Sequence, residues 1–347
     1  MIRVFTDYHH GDLYYSLHRL FEEQLGWELY RPIGLDWFHN GYWKIAEPYN
    51  NAIDTVRQYL DINNDGWIPF KNLNGQNYLE NNTYFSFDPS HNYYHRAITF
   101  DSFKEMQFDI ILPTYEPHER LFLKLRDLFH PKAKLVAQMG NNGQDSILPN
   151  VIHSVPYVSK INQKAFYYHQ EIDLSLYTYQ APDPNHKKIY SVVHLYPYPQ
   201  IWKAYKEILP EVEMKNYGSG CPDGVLSGPE SVSQKMREAS CGWHLKPQGG
   251  LGHSSLGWLA SGRPVITNMS QMRSWGGDCL SLFEPGVTCI DIESYTKAQG
   301  ASVIRALLKP EELLKWSERV YRRFNDLINY DFEKELLGKF FMEVLSD

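Results

Sequence analysis

The chain has 347 residues, of which 43% are hydrophobic and 22% charged, and its net charge at pH 7 is −7. This composition is that of an ordinary globular protein, and the length allows two domains, each with its own core. The negative charge argues against a nucleic-acid-binding protein that relies on a broad basic surface. No apolar run is long enough to span a bilayer, so the sequence predicts no transmembrane helix.

The four cysteines form neither a C-x-x-C pair nor a cysteine–histidine cluster with zinc spacing. We therefore expect reduced thiols, mostly buried, which suit the cytoplasm. No secretory signal is recognisable before the first predicted strand. Together these features predict a cytoplasmic protein.

Strands and helices alternate along the first half of the chain. A strand over residues 2–6 precedes a helix with one apolar face, which is predicted to end at Gly26. Residues 27–100 are rich in Asn, Tyr, Trp, Pro and Gly, and we interpret them as loops carried over a site. Later strands are predicted over 108–113, 134–139 and 151–155, with a helix over 118–129. The alternation predicts a parallel sheet covered on both faces.

A second alternating series follows a linker at residues 180–187. Its strands are predicted over 189–194, 212–217, 242–245, 264–267 and 287–291. Its helices are predicted over 199–209, 231–239, 253–261 and 297–308. Residues 310–345 are predicted to be helical, with a break near residue 330. We therefore expect two Rossmann-like doubly wound α/β domains, over residues 1–180 and 186–330.

The loop at residues 61–68 matches the first half of a calcium-binding loop. Asp61, Asn63 and Asp65 supply oxygen ligands at alternate positions, and a glycine stands sixth. The twelfth position is Asn72, so the usual bidentate glutamate is missing. The alternative interpretation is a turn rich in Asn and Asp.

The most informative stretch is residues 242–266, which predicts a strand, a glycine-rich turn, a helix, a turn and a strand. A helix that starts at His253 would direct the unused N–H groups of its first turn into the preceding loop. These donors and the positive end of the helix dipole would bind a phosphate group. The predicted phosphate-binding residues are Gly250, Gly252, His253, Ser254 and Ser255.

The motif GGLGHSSLGWLASGRPVI, over residues 249–266, resembles the donor-site motif of nucleotide-sugar glycosyltransferases of the GT-B fold. The resemblance covers about residues 186–292. It implies two Rossmann-like domains that face a cleft, with a C-terminal helix, over 331–347, that packs back on the first domain. Many retaining members carry a glutamate at each end of this motif, whereas this chain has Gly249 and Gly257. The resemblance therefore implies binding of a diphosphate sugar without implying the stereochemical outcome.

Further donor-binding candidates follow the strands of the second half, because ligands bind outside the carboxyl ends of strands in such sheets. An ammonium group at Lys246 would offset charge that develops on the leaving diphosphate. The other candidates are His194, Gly218, Ser219, His244 and, in a loop that reaches the donor in related folds, Glu284. The alternative for Gly218 and Ser219 is a plain tight turn.

His10 and Asp12 follow the first strand, in a loop that often holds the catalytic base in the enzymes that the motif resembles. Transfer with inversion needs a base that takes the proton of the acceptor hydroxyl, and either residue suits that role. The alternative for Asp12 is a helix N-cap. Glu116 and His118 follow another strand and are predicted to contact the acceptor; alternatively they only open the next helix.

The sequence thus predicts a glycosyltransferase that moves a sugar, with a UDP-sugar as the expected type of donor, from a nucleoside diphosphate to a hydroxyl acceptor. We expect transfer without a metal cofactor, because a helix N-terminus and a lysine can neutralise phosphate charge. The acceptor is a glycan, a lipid-linked sugar, a small molecule or a modified DNA base. The alternatives are a DNA-modifying glucosyltransferase, a nucleotide-sugar epimerase and a non-catalytic sugar-nucleotide-binding protein.

Overall fold

The computed structural model describes residues 1–7, 11–32, 77–79, 83–88, 93–98, 100–114, 116–140, 146–154, 163–192, 198–218, 220–245, 252–270 and 281–347. The predicted calcium loop, with Asp61, Asn63 and Asp65, lies outside these residues. Within the described ranges, no helix combines the length and the apolar character needed to cross a membrane.

Strands and helices alternate along the N-terminal half of the chain. The strands are β1 (Arg3–Thr6), β2 (Glu28–Pro32), β3 (Asn77–Leu79), β4 (Thr83–Asp88), β5 (Tyr93–Ile98), β6 (Ile110–Leu112), β7 (Lys134–Leu135), β8 (Ala137–Met139), β9 (Asn150–His153) and β10 (Lys164–Tyr167). The helices are α1 (Gly11–His18), α2 (Phe100–Glu105) and α3 (Glu116–Phe129). Helix α1 continues as a π-helical segment over Arg19–Gln24, which ends close to the predicted Gly26.

These strands form one layer, the first sheet. Seven strands hydrogen-bond in the order β3-β4-β5-β2-β1-β6-β7, and three more in the order β8-β9-β10. The two groups join around Val136, because the N–H of Val136 donates to the Ile111 carbonyl (3.2 Å) and that of Gln138 to the Pro113 carbonyl (2.9 Å). The strand order reverses between β1 and β6, which is therefore the topological switch point where ligands bind in such sheets.

The interpretation of residues 27–100 as loops is wrong for part of that region. Strand β2 pairs in parallel with β1 and β5, and strands β3, β4 and β5 form an antiparallel edge. The sequences of β4 and β5, TYFSFD and YYHRAI, contain the aromatic residues that strands favour. The first sheet is therefore mixed, not wholly parallel.

The C-terminal half continues the alternation close to the predicted positions. Its strands are β11 (Lys188–Ser191), β12 (Glu213–Asn216), β13 (Cys241–His244), β14 (Val265–Thr267) and β15 (Cys289–Asp291). Its helices are α4 (Pro199–Ile208), α5 (Gly228–Glu238), α6 (His253–Ala260), α7 (Lys297–Leu307), α8 (Pro310–Leu327) and α9 (Tyr330–Ser346). All five strands are parallel, in the order β12-β11-β13-β14-β15, and form the second sheet. Its switch point lies between β11 and β13, beside the predicted phosphate-binding motif.

Apolar side chains cover both faces of the first sheet. In β1, Val4 and Phe5 are fully buried on opposite faces, because successive residues of a strand point to opposite sides. The Val4 face is covered by α1 and α9, where the rings of Phe21 and Phe341 lie 5.0 Å apart, centroid to centroid. The last helix of the chain therefore packs on the first sheet of the protein.

Candidate functional site

Strand β13 precedes the glycine-rich part of the motif, and helix α6 follows it. Gly252 precedes the helix with a φ of 73°, a conformation that favours glycine. Its carbonyl accepts the N–H of Ser255 (3.1 Å), which is the first amide to donate inside the helix. Helix geometry therefore leaves the N–H groups of Gly252, His253 and Ser254 without an acceptor inside the helix. This backbone arrangement suits a phosphate group.

The side chains at the start of α6 differ in their exposure. His253 and Ser254 are partly exposed, whereas Ser255 is fully buried. Residues two apart on a helix lie on different faces, so Ser255 points away from the face of His253. Ser255 is thus buried on the core side of α6, and its role in phosphate binding remains a prediction. Ser254 Oγ lies 3.4 Å from Nδ1 of the buried His244, so the start of α6 contacts the end of β13.

A small pocket of about 20 Å³, here called the Tyr15 pocket, has room for about one water molecule and joins helix α1 to the N-terminus of α6. It is lined by Tyr15, Glu171, Ile172, Asp173, Tyr177, Pro229 and His253. Tyr15 comes from α1, whose first turn contains the predicted base Asp12, and His253 begins α6. The pocket therefore brings the predicted catalytic helix and the predicted phosphate-binding helix to one cavity.

Burial and a neighbouring carboxylate raise the pKa of the tyrosine in the Tyr15 pocket. Burial, followed by the nearby carboxylate of Asp173, raises the pKa of Tyr15 to about 12. Glu171 is engaged by two cations: its Oε1 lies 3.3 Å from Arg19 Nε and its Oε2 3.0 Å from Lys334 Nζ. At neutral pH the tyrosine hydroxyl is therefore a hydrogen-bond donor, and Glu171 is neutralised by its partners.

A buried carboxylate stands at the switch point of the first sheet, and the sequence analysis missed it. Asp7 directly follows β1 and is 1% exposed. Its Oδ1 accepts the backbone N–H of Thr114 (2.9 Å) and also the Thr114 hydroxyl, just after β6. The only signal in the sequence was the position of Asp7 at the carboxyl end of the first strand. It precedes the loop that contains the predicted His10.

The structure describes the backbone, but not the side chains, of three predicted residues in the N-terminal half. Asp12 is the second residue of α1, so it lies inside the first turn and not before the helix as an N-cap. Glu116 and His118 are the first and third residues of α3, as in the alternative that they open this helix. The predicted residues His10, His194, Ser219, Lys246 and Gly250 lie outside the described residues.

Gly218 and Glu284 both make contacts within the protein. The N–H of Gly218 donates to the Gly224 carbonyl (2.9 Å), and Asp223 caps the same loop through the N–H of Asn216 (2.7 Å). Glu284 lies 3.6 Å from Arg323 of α8, so its carboxylate faces a helix of the same half. Their roles in donor binding remain predictions.

Metal ligands are not grouped in the part of the chain that the structure describes. There, no cluster of three or more His, Cys, Asp or Glu side chains is arranged to hold a metal ion. Of the cysteines described, Cys241 and Cys289 are buried and Cys221 is partly exposed.

Comparisons with solved structures identify the fold over the whole chain. Sucrose-phosphate synthase from Thermosynechococcus elongatus is 12% identical, with a TM-score of 0.64 and full coverage of both chains. HepE of Anabaena, in complex with UDP-glucose, is 9% identical, with a TM-score of 0.63, and 99% of this chain and 100% of that chain are covered. The pneumococcal O-GlcNAc transferase GtfA, in complex with UDP and GlcNAc, is 9% identical, with a TM-score of 0.56 and coverage of 100% and 99%. No protein-family model matches the chain, and no curated protein matches it in sequence.

The sheet orders and these similarities define a protein of the GT-B fold. The resemblance of the motif to nucleotide-sugar glycosyltransferases of this fold is thus confirmed at the level of the fold, which all three neighbours share.

Proposed function

We propose that the protein is a glycosyltransferase that transfers a sugar from a nucleoside-diphosphate sugar to a hydroxyl acceptor. The observation that carries this proposal is the Tyr15 pocket, because it joins α1 to the N-terminus of α6. The GT-B neighbours support a UDP-sugar as donor, since one was solved with UDP-glucose and another with UDP and GlcNAc.

The donor diphosphate would bind the N–H groups of Gly252, His253 and Ser254. Lys246 would add a positive charge, which would stabilise the negative charge that develops on the leaving group. This combination can neutralise a diphosphate without a metal ion. Residues 186–330 would form the donor domain in this proposal, and residues 1–180 with the C-terminal helix 331–347 the acceptor domain.

In the transfer step the acceptor oxygen would form a bond to the anomeric carbon while the bond from that carbon to the diphosphate oxygen breaks. For an inverting reaction, His10 or Asp12 would take the hydroxyl proton as general base. Both precede Tyr15 closely in the chain, on the loop and first turn that lead into the pocket. Enclosure between the two halves would exclude water that otherwise hydrolyses the donor.

A thermal-shift panel of UDP-, GDP-, ADP-, CMP- and dTDP-sugars tests the proposal. We expect one class of donor to raise the melting temperature, because ligand at 100 times its Kd stabilises the folded state by about 2.7 kcal/mol. The Lys246→Ala variant should bind that donor about tenfold more weakly, as expected for the loss of a charged phosphate contact.

Lys339→Ala is the matched control, because Lys339 is an exposed lysine of α9 that pairs with Glu335. It should bind the donor like the wild type. Absence of stabilisation by every donor would overturn the proposal. Product analysis with the stabilising donor then separates sugar transfer to an acceptor from epimerisation and from binding without turnover.

A further inference from the structure

A fully buried arginine, Arg263, lies just beyond the C-terminal end of α6. Its guanidinium group donates hydrogen bonds to four main-chain carbonyls, those of Arg237, Ala239 and Gln180 at 2.6 Å each and that of Ser261 at 2.8 Å. None of these acceptors is a carboxylate. The buried cation is therefore stabilised by backbone dipoles.

The four carbonyls belong to three different parts of the second half. Ala239 is the C-cap of α5 and Ser261 the C-cap of α6, whereas Gln180 belongs to residues 172–180, here called the entry segment. Helix C-termini carry a partial negative charge, which stabilises a cation placed there. Burial lowers the pKa of Arg263 to about 10, so its side chain is still a cation at neutral pH. Arg263 thus ties the end of α6 to α5 and to the entry segment.

The entry segment also packs directly on the backbone of α6. The Tyr177 ring lies against Gly257, where an added Cβ would be 2.8 and 2.9 Å from two ring carbons. The Tyr179 ring lies against Gly262, the residue before Arg263, where an added Cβ would be 2.6 and 2.7 Å from two ring carbons. Glycine at both positions lets the rings approach this closely. The entry segment therefore contacts α6 in its middle and at its C-terminal end.

The orientation of α6 determines where the amides of its first turn point. The helix has eight residues, so it is about 12 Å long at a rise of about 1.5 Å per residue. A tilt of about 10° about its C-terminal end would move the first turn by about 2 Å, which is more than an N–H···O hydrogen bond tolerates. Contacts at the end of α6 can therefore control binding at its start.

We propose that Arg263 is a positioning residue for phosphate binding. Together with the entry segment it holds α6 in the orientation that directs the N–H groups of Gly252, His253 and Ser254 at the donor diphosphate. Arg263 does not touch the ligand, because it lies at the opposite end of the helix. The inference rests on the proposed function, since that proposal places a diphosphate at α6. The sequence analysis assigned no role to Arg263 or Tyr177.

Titration calorimetry with UDP, at a temperature where every variant is folded, tests this role. Arg263→Lys keeps the positive charge, but its ammonium group cannot reproduce the planar guanidinium fork that bonds to several carbonyls at once. The variant should bind UDP about tenfold more weakly than the wild type. Unchanged affinity would overturn the inference. If the wild type itself does not bind UDP, the proposed function fails for this class of donor, and the inference fails with it.

Two controls separate the positioning of α6 from other effects. Arg305→Lys changes an arginine of α7 that also donates to a carbonyl at a helix end, that of Ile208 in α4 (2.6 Å). Phe341→Ala lowers stability through the packing of α9 on the first sheet. Both variants should bind UDP within about twofold of the wild type. A tenfold loss in either one would contradict a specific role of Arg263.

A second set of variants tests the entry segment, and it applies whether or not Arg263→Lys folds. Gly257→Ala places a methyl group where the Tyr177 ring lies, so α6 must shift, and UDP should bind several-fold more weakly. Tyr177→Ala alone leaves room beside α6 and should have the smaller effect. The double variant should bind UDP more tightly than Gly257→Ala, because its methyl group no longer meets the ring. If Gly257→Ala binds UDP like the wild type, or if the second substitution restores no affinity, the inference is wrong.

Discussion

Two buried carboxylates, Asp7 and Glu171, are held by different partners, and the difference determines what each can do. Glu171 lies between Arg19 and Lys334, which neutralise it, so its role is to hold elements together. Asp7 is held by the neutral N–H and hydroxyl groups of Thr114. These bonds fix the Asp7 carboxylate at the switch point of the first sheet, directly before the loop that contains the predicted His10.

From this we expect Asp7→Asn to impair transfer without impairing donor binding. Removal of the charge should lower kcat at least about tenfold, because the loop with His10 and the first turn with Asp12 directly follow Asp7. The Kd of the donor should stay within about twofold, since the donor binds the other half. Steady-state rates and calorimetry measure the two quantities. Thr114→Val, which removes one donor to Asp7 but keeps the charge, should have the smaller effect, and a larger effect would contradict this role.

A second prediction concerns His18, the buried last residue of α1. Burial, followed by the charges of Arg96 and Arg19, lowers the pKa of His18 to about 4. Glu22 and Glu23 act in the opposite sense, but their oxygens lie 3.7 Å from the ring, beyond hydrogen-bond distance. The folded protein therefore holds His18 neutral at a pH where the unfolded chain protonates it.

Because the folded pKa is lowered, this contribution to stability is complete above the unfolded pKa of about 6.5 and is lost as the pH falls towards 4. The wild type should lose about 1–2 kcal/mol more than His18→Gln between pH 7.5 and 5. Urea unfolding at both pH values measures the difference. Equal pH dependence of the two proteins would show that the pKa of His18 is not lowered.

At the scale of elements, the sequence predicted best where one local signal determines the structure. The glycine turn and the periodic apolar residues placed α6 over 253–261, and it spans His253–Ala260. The break between α8 and α9 falls at the predicted place, near residue 330. Strand β4 was not predicted, because the many turn-forming residues around β4 and β5 obscure the aromatic pattern that favours strands. The pairing of the two strands is not visible in the sequence.

The sequence predicted only the part of the candidate site that the local backbone forms. The helix N-terminus at Gly252 could be inferred because glycines and the helix start are local features. Asp173 and Tyr177 could not, because they lie about 80 residues before α6 and reach it only through tertiary packing. Likewise, the burial of Ser255 depends on which face of α6 packs on the core, and the sequence of the motif does not show which face that is.

The packing of helix α9 on the first sheet leads to a testable prediction. Phe341 is fully buried against Phe21 and lies 6.2 Å from Trp27, whereas the next residue, Met342, is 50% exposed. Phe341→Ala should therefore cost about 3–5 kcal/mol of unfolding free energy, and Met342→Ala less than about 0.5 kcal/mol. Chemical denaturation measures both. Similar values for the two variants would contradict the packing of α9 on the first sheet.

For the whole molecule, the chain passes twice between the two sheets, and the two passages are bonded to each other. The first runs from Tyr168, in the core on the Val4 face, to Ile172, in a core of the second sheet. The second runs back from Tyr330 to Leu337. Between them, Glu333 accepts hydrogen bonds from the backbone N–H and the ring of His169 (2.7 and 2.8 Å), and Glu171 pairs with Lys334. These bonds fix the relative positions of the halves that form the Tyr15 pocket.

Lys334→Met tests this connection, because it leaves Glu171 buried with Arg19 as its remaining cationic partner. Removal of one partner from a buried ion pair costs about 3–5 kcal/mol, and the retained Arg19 should keep the loss at about 2–3 kcal/mol. Lys339→Met, which removes an exposed pair five residues later, should cost under about 0.5 kcal/mol.

Glu171→Met combined with Lys334→Met should recover part of the loss, since no unpaired charge is then buried. Unfolding free energies of the wild type and these three variants test the prediction. If Lys334→Met is no less stable than Lys339→Met, the ion pair does not hold the two passages together, and the geometry of the pocket must depend on the apolar cores alone.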